Sequence, residues 1–350
     1  MPFPDESRIF KNEDILSFEY LPDILPQREM QIKQLADNLL PASKGRIPQN
    51  TFIHGSPGIG KTAVVKYVFR EFENYSGINT VYLNCWNFNT SISILSEITV
   101  SLGMPVVRRG IGKDEILSRL REVIEKSKKG LIICLDEVDQ LVRKDQSVLY
   151  DLSRMNQYVK NPIGIVLISN NPFLFSDVEP RIKSSLAVEE IEFKPYSIEE
   201  MKNVLQERAK NAFFSVESGV IILASNHAIK KGSDVRAGIE CLLKAGRVAE
   251  QENDIKVKVE HIKKILKEVL KIKPQVTKEN LTEIEKIILS IIEENNELSF
   301  GDLYNKYCEK AENPITEKPF LNYVRHLDEL NLLVFKKRKV NGKRFIIKFK

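Results

Sequence analysis

Eight consecutive residues constrain this chain more than any others: Gly55-Ser56-Pro57-Gly58-Ile59-Gly60-Lys61-Thr62. They fit the pattern G-x-x-x-x-G-K-[ST]. In that loop, glycines let backbone N–H groups close around a β-phosphate, the lysine reaches the β- and γ-phosphates, and the final hydroxyl holds Mg²⁺. The loop works only between a strand and a helix, and its flanks supply both: residues 51–54 form a short apolar strand candidate and residues 63–72 read as a helix. Ser56, Pro57, Gly58, Ile59, Gly60, Lys61, Thr62 and Ala63 are therefore the first nucleotide-contacting candidates.

Downstream, apolar runs alternate with helical stretches. Residues 81–83 precede an amphipathic segment at 91–102, residues 131–135 follow a helix over 114–127, and residues 163–169 follow a helix around 150–158. Short continuous apolar runs separated by helices indicate a parallel sheet buried on both faces. The run at 131–135 ends in Asp136-Glu137. Asp136 can join Thr62 around a metal, and Glu137 can orient and deprotonate a water for attack on a γ-phosphate. Asn170 ends another apolar run. In a parallel sheet the strand C-termini gather at one edge, beside those carboxylates, where an amide can position the attacking water, although Asn-Asn-Pro is also a common turn.

Composition sets the outer bounds. With 350 residues, 42% hydrophobic and 29% charged, the chain should hold two or three domains with ample core. No run approaches the roughly 18 apolar residues of a membrane span, and the N-terminus lacks the basic start and apolar core of a secretory signal. Cys85, Cys134, Cys241 and Cys308 have no paired metal-ligand spacing and read as thiols of a reducing cytoplasm. The net charge of +5 is mild, but residues 331–350 carry eight basic side chains and no acidic one.

A helix is expected over residues 27–40, with a loop from Pro41 to Asn50. After Phe193 the pattern becomes helical: Ser197-Ile198-Glu199-Glu200 is a capping box, and helices continue to about Ile272. Lys273-Pro274-Gln275 marks a boundary. Helices are then expected at 282–294, 300–310 and 319–330, followed by strands at 333–337 and 344–349, the order of a winged helix. Phe320, Val324, Leu327 and Leu330 follow helical spacing and should face a core, leaving Lys318, Asn322 and Arg325 outward for a major groove. Lys336, Lys337, Arg338, Lys339, Lys343 and Arg344 cluster near the hairpin turn and suit phosphate or minor-groove contact. A charged hairpin that merely resists edge pairing is the plainer alternative.

Arg181 can present a guanidinium to the γ-phosphate of a neighbouring subunit, and Arg236, at the start of a helix, can reach the nucleotide of its own chain. Taken singly, either arginine reads first as a member of a surface ion pair. The loop, the Asp136-Glu137 pair, Asn170, Arg181 and Arg236 occur in the order and spacing of AAA+ ATPases. Nearly the whole chain resembles archaeal replication initiators related to the origin recognition complex and its Cdc-six partner. The resemblance implies an α/β fold: a P-loop AAA+ parallel-sheet core with an N-terminal arm (1–195), an all-helical lid (196–273) and a winged-helix DNA-binding domain (274–350). Tyr20-Leu21-Pro22 and Leu25-Pro26-Gln27-Arg28-Glu29 resemble the family's opening box, which implies Tyr20 and Leu21 against adenine and Arg28 near the nucleotide. Asn84-Cys85, the 91–102 helix and Val106-Val107-Arg108-Arg109-Gly110 resemble the initiator-specific insertion, making Arg108 and Arg109 DNA candidates. Two departures stand out: Gln27 replaces the usual histidine, and the wing turn at 339–343 has fewer glycines than the common form.

The resemblance implies an ATP-dependent, slowly hydrolysing initiator that binds origin duplex DNA, with Mg²⁺ as cofactor. Other initiator subunits and the replicative helicase are its implied partners, the location cytoplasmic and nucleoid-associated. Two other functions fit parts of the sequence: a signalling or scaffold NTPase with a winged helix, and a paralogous DNA-binding regulator whose ATP is mostly structural. Arg181 and Asn170 count against the scaffold.

Overall fold

The structure is a computed structural model that describes residues 7–106, 110, 112–271, 281–295, 297–311, 314–329, 333–339 and 343–349. It divides into two compact units, one ending at Lys267 and the other beginning at Glu268.

The first unit is built on β1 (Thr51–Gly55), β2 (Asn79–Asn84), β3 (Leu131–Asp136), β4 (Ile163–Ser169) and β5 (Glu189–Phe193), which form a parallel sheet in the order β2-β3-β4-β1-β5. Alternation along each strand divides its side chains between two cores. Ile132 and Cys134 of β3 join one core with α1 (Glu29–Ser43) and α2 (Lys61–Ser76). Leu131, Ile133 and Leu135 join the other, with α3 (Ser91–Ser101) and α4 (Lys113–Ser127). Each fully buried Leu or Ile contributes about 1.5–3 kcal/mol of transfer free energy. Three short helices, α5 (Asp139–Lys144), α6 (Ser147–Ser153) and α7 (Pro180–Leu186), complete that second side.

The expected loop from Pro41 is a correction: α1 runs through Pro41 to Ser43. Proline costs a helix the N–H that would bond four residues back. That residue, Asp37, is on the exposed side of α1, and the loss falls in the last turn. The helix expected around 150–158 is also shorter, ending at Ser153 before a 3₁₀ turn at Met155–Gln157.

The remaining helices of this unit are α8 (Ile198–Ala212), α9 (Ser218–Lys230), α10 (Val235–Gln251) and the part of α11 (Val259–Lys271) up to Lys267. Ser197 and Glu200 form the expected reciprocal capping box at α8. The N-terminal arm is tied to this bundle: Phe10 bridges to Phe213, and Lys11 N–H donates to the Ala212 carbonyl at 2.8 Å. Cys85, Cys134 and Cys241 are buried free thiols, with Cys308 half-buried. Among the described residues no helix is long and apolar enough to cross a membrane.

The second unit contains α12 (Glu283–Glu294), β6 (Glu297–Ser299), α13 (Phe300–Lys310), α14 (Glu317–Glu329), β7 (Leu333–Lys339) and β8 (Lys343–Phe349). Its antiparallel sheet has the order β6-β8-β7, and the sequence of elements is that of a winged helix. The spacing rule holds along α14: Phe320, Val324 and Leu327 are buried against Leu289, Leu303 and Tyr307, while Lys318, Asn322 and Arg325 are exposed. Leu330 lies outside the described residues. The β7–β8 hairpin pairs Lys336 with Ile346, Lys337 with Phe345, Arg338 with Arg344 and Lys339 with Lys343. The turn residues 340–342 lie outside the described residues.

Candidate nucleotide site

The loop takes its shape from its neighbours as much as from its glycines. Gly58 has φ +73°, and a Cβ there would lie 2.0 Å from a carboxylate oxygen of Asp234. Only glycine allows the approach. Val235 N–H at the start of α10 donates to the Gly58 carbonyl at 3.0 Å, fastening the helical bundle to the loop. Beneath the loop lies Arg28. Its guanidinium donates to the Ile59 carbonyl from Nε at 3.2 Å and from Nη2 at 3.0 Å, and to the Lys194 carbonyl from Nη2 at 3.0 Å. It also stacks on Tyr196 at 3.8 Å and lies 5.1 Å from the Phe193 ring centroid.

Above the loop opens a cavity of about 890 Å³. Tyr20, Leu21, Pro57, Gly58, Gly60, Lys61, Thr62, Ala63, Asp136, Glu137, Asn170 and Arg236 all line it. The Lys61 ammonium donates to the Gly55 and Ser56 carbonyls at 2.7 and 2.8 Å and to Asn170 Oδ1 at 2.8 Å. Burial pulls its pKa down to about 8, against the opposing pull of Asp136. Such a desolvated cation, held only by neutral acceptors, suits an arriving phosphate.

Thr62 donates from Oγ1 to Asp136 Oδ2 at 2.6 Å, bringing a hydroxyl and a carboxylate together beside Lys61. Hard oxygen donors of this kind fit Mg²⁺. Glu137 follows with φ +53°, a left-handed backbone that non-glycine residues adopt at a cost of order 1–3 kcal/mol. Its N–H donates to Asp136 Oδ1 at 2.8 Å. Burial and then the Asp136 charge push the Glu137 carboxyl above its ordinary range, while the Asn84 side chain, hydrogen-bonded to it, works in the other direction. Arg236 caps the cavity from α10, paired with Asp234 through Nε to Oδ1 at 3.1 Å and Nη2 to Oδ2 at 3.0 Å. At the other end, Arg208 of α8 donates to the Ile15 and Tyr20 carbonyls at 2.9 and 3.2 Å, holding the arm across the opening.

Several expected residues stand elsewhere. Arg28 does not line the cavity; it braces the loop from behind. Ile59 is fully buried, so only its backbone serves the loop. Ser56 offers its carbonyl to Lys61 and does not line the cavity either. Arg181 is 68% exposed on α7, pairs with Glu179 at 2.6 Å and lies 5.4 Å from the Tyr150 ring centroid. Arg108 and Arg109 lie outside the described residues. Residues not foreseen in the sequence also line the cavity: Tyr82, Asn84, Lys66 and Arg208. For Tyr82 and Asn84 the available signal was strand parity, since both stand on the β2 face that carries Asp136 in the paired register.

Residues 47–174 match the family model of the AAA domain, and residues 202–265 match that of the Cdc6 AAA+ ATPase-type lid domain. With the loop, the carboxylate pair and the lid arginine around one cavity, these matches define the class: an AAA+ ATPase that binds nucleotide. Among curated relatives, an ORC1-type DNA replication protein 1 of Archaeoglobus fulgidus is 36% identical over 341 residues, covering 93% of this chain and 83% of the relative. An ORC1-type DNA replication protein of Pyrococcus abyssi is 33% identical over 353 residues, with the same 93% and 83% coverage. The structure of the Aeropyrum pernix ORC1 protein in complex with DNA aligns with TM-score 0.73 at 28% identity, covering 98% of this chain and 94% of that one. The chain belongs to the ORC1-type DNA replication proteins.

Proposed function

We propose that this protein is an ATP-dependent replication initiator that binds origin duplex DNA and uses ATP binding and slow hydrolysis as its switch. The observation that carries the reading is the convergence of loop, carboxylates, Asn170 and lid Arg236 on one cavity, in a chain that also holds an exposed basic helix face in its second unit. The relatives' names and the DNA complex of the Aeropyrum pernix protein support it. The reading assigns residues 1–195 to the nucleotide-binding core and arm, 196–273 to the lid, and 274–350 to DNA binding.

Lys61 holds the β- and γ-phosphates, with Tyr20 and Leu21 against the adenine. Thr62 and Asp136 hold Mg²⁺, which when bound neutralises charge developing on the phosphates. Glu137 accepts the proton of the attacking water and Asn170 orients that water. Arg236 exchanges its Asp234 partner for the γ-phosphate, so the lid responds to the bound nucleotide. Arg181, exposed and paired with Glu179, serves a neighbouring subunit, and the isolated chain therefore turns over slowly. On DNA, Lys318, Asn322 and Arg325 face the major groove. Lys336, Lys337, Arg338, Lys339, Lys343 and Arg344 bind the flanking backbone, and Arg108 and Arg109 make a second contact. Other initiator subunits and the replicative helicase are the protein partners, in the cytoplasm at the nucleoid.

The test is fluorescence anisotropy with labelled origin duplex, titrated in rising salt with ATP, ADP or no nucleotide. The reading predicts ATP-strengthened binding whose logarithm falls linearly with the logarithm of salt concentration, with a slope of about −0.9 per phosphate contacted. No duplex binding at low salt would remove both the initiator and the regulator readings and leave the scaffold.

A further inference from the structure

Tyr82, on β2, is assigned no part in the chemistry so far. Strand β2 pairs in parallel with β3, matching Tyr82 to Cys134 and Asn84 to Asp136, so Tyr82 and Asp136 share a sheet face. The phenol reaches one step up that face and donates to Asp136 Oδ2 at 2.6 Å. Thr62 donates to the same oxygen, also at 2.6 Å. The other oxygen, Oδ1, accepts the Glu137 N–H at 2.8 Å. An ionised carboxylate offers about four acceptor sites. Three are filled by protein donors, and the one left belongs to Oδ1.

Asp136 is only 4% exposed, so water does little to steady it. The Tyr82 ring is itself held: Lys66, one turn along α2 from Thr62, places its ammonium 4.7 Å from the ring centroid. Burial and the Asp136 charge push the phenol pKa up, which keeps the hydroxyl a donor throughout the physiological range.

We propose that Tyr82 is a positioning residue for the divalent cation: its hydroxyl, fixed by the β2–β3 register, holds the Asp136 carboxylate in the orientation that leaves Oδ1 open for the metal. The inference rests on reading the cavity as a Mg²⁺–nucleotide site. Without Tyr82 the carboxylate keeps one donor on each oxygen, Thr62 on Oδ2 and the Glu137 N–H on Oδ1, and more of its orientation must come from the metal itself. Partners that orient metal ligands typically change metal affinity 10–100-fold when removed.

The experiment uses the full chain and a fluorescent ADP analogue, with wild type and Tyr82→Phe each titrated in EDTA and then with Mg²⁺. Mn²⁺ binding followed by electron paramagnetic resonance gives the metal affinity directly, and thermal melts confirm that each variant is folded. In Tyr82→Phe the half-saturating metal concentration should rise about tenfold, while nucleotide affinity in EDTA stays unchanged. In an Asp136→Ala background the same substitution should have no effect on the metal curve, because its target is gone. A Tyr82→Phe metal curve that superimposes on wild type overturns the proposal, as does an equal shift in the Asp136→Ala background. Loss of nucleotide affinity in EDTA would instead make Tyr82 a nucleotide contact and overturn it too. If wild type binds no nucleotide, or binds it without regard to metal, the reading of the cavity itself fails, and the inference with it.

Discussion

Arg28→Met separates a brace from a ligand. Arg28 is 5% exposed, and its guanidinium makes three hydrogen bonds to two carbonyls, those of Ile59 and Lys194, while stacking on Tyr196. Methionine keeps the apolar stem but leaves both carbonyls without these donors. Hydrogen bonds to charged groups contribute about 1.5–3 kcal/mol each, but the bonds share two acceptors and are not additive, so a loss of roughly 3 kcal/mol is expected. For a unit of this size that corresponds to a fall in Tm of about 6–12 °C. The assay is thermal unfolding with no nucleotide present, followed by ADP titration well below the new Tm. Nucleotide affinity should weaken as well, about tenfold, because the Ile59 carbonyl is part of the loop backbone. A Tm within about 2 °C of wild type would refute the brace. Weakened nucleotide binding at unchanged Tm would return Arg28 to the direct nucleotide contact that its place in the sequence suggests.

Glu137→Ala should bind ATP with near wild-type affinity and lose at least about 100-fold in turnover, measured by phosphate release. Because the ionised carboxylate is the base and its pKa is raised, the acid limb of the wild-type rate profile should lie at higher pH than an ordinary glutamate gives. Lys61, with a pKa of about 8 in the free protein, is the second titrating group. Phosphates favour its charged form, so nucleotide affinity should fall as pH rises above about 8, by up to tenfold per pH unit, and binding there should take up a proton detectable as buffer-dependent heat in calorimetry. Arg325→Ala, on the exposed face of α14, should weaken duplex binding without changing nucleotide affinity; a loss confined to one base position marks a base contact, and a uniform loss with a salt slope shallower by about 1 marks a phosphate contact.

Much of the fold was legible because its signals are local. The strand β3 is buried at every position, and so its sequence is a continuous apolar run ending where the carboxylates must emerge. Along α14, burial follows the 3.6-residue period. The edge strand β5 was harder: only Ile191 and Phe193 are buried, with Glu189, Glu190 and Glu192 turned to solvent, so no apolar run announces it. The three-residue β6 is too short to leave a pattern and exists through its pairing with β8. In the site, the loop, the Asp136-Glu137 pair, Asn170 and Arg236 follow chain motifs. Arg28 did not reveal its role, because its acceptors lie 31 and 166 residues away. Tyr82 needed the β2–β3 register, which no stretch of β2 encodes alone.

On this reading the nucleotide cavity governs binding at specific duplex sites. Genome-wide footprinting of the protein, with and without ATP, tests it most directly. Protection is expected at a few discrete origins, strengthened by ATP and lost in a Lys61→Ala variant. Scattered occupancy, or discrete occupancy indifferent to ATP and to Lys61, would contradict it.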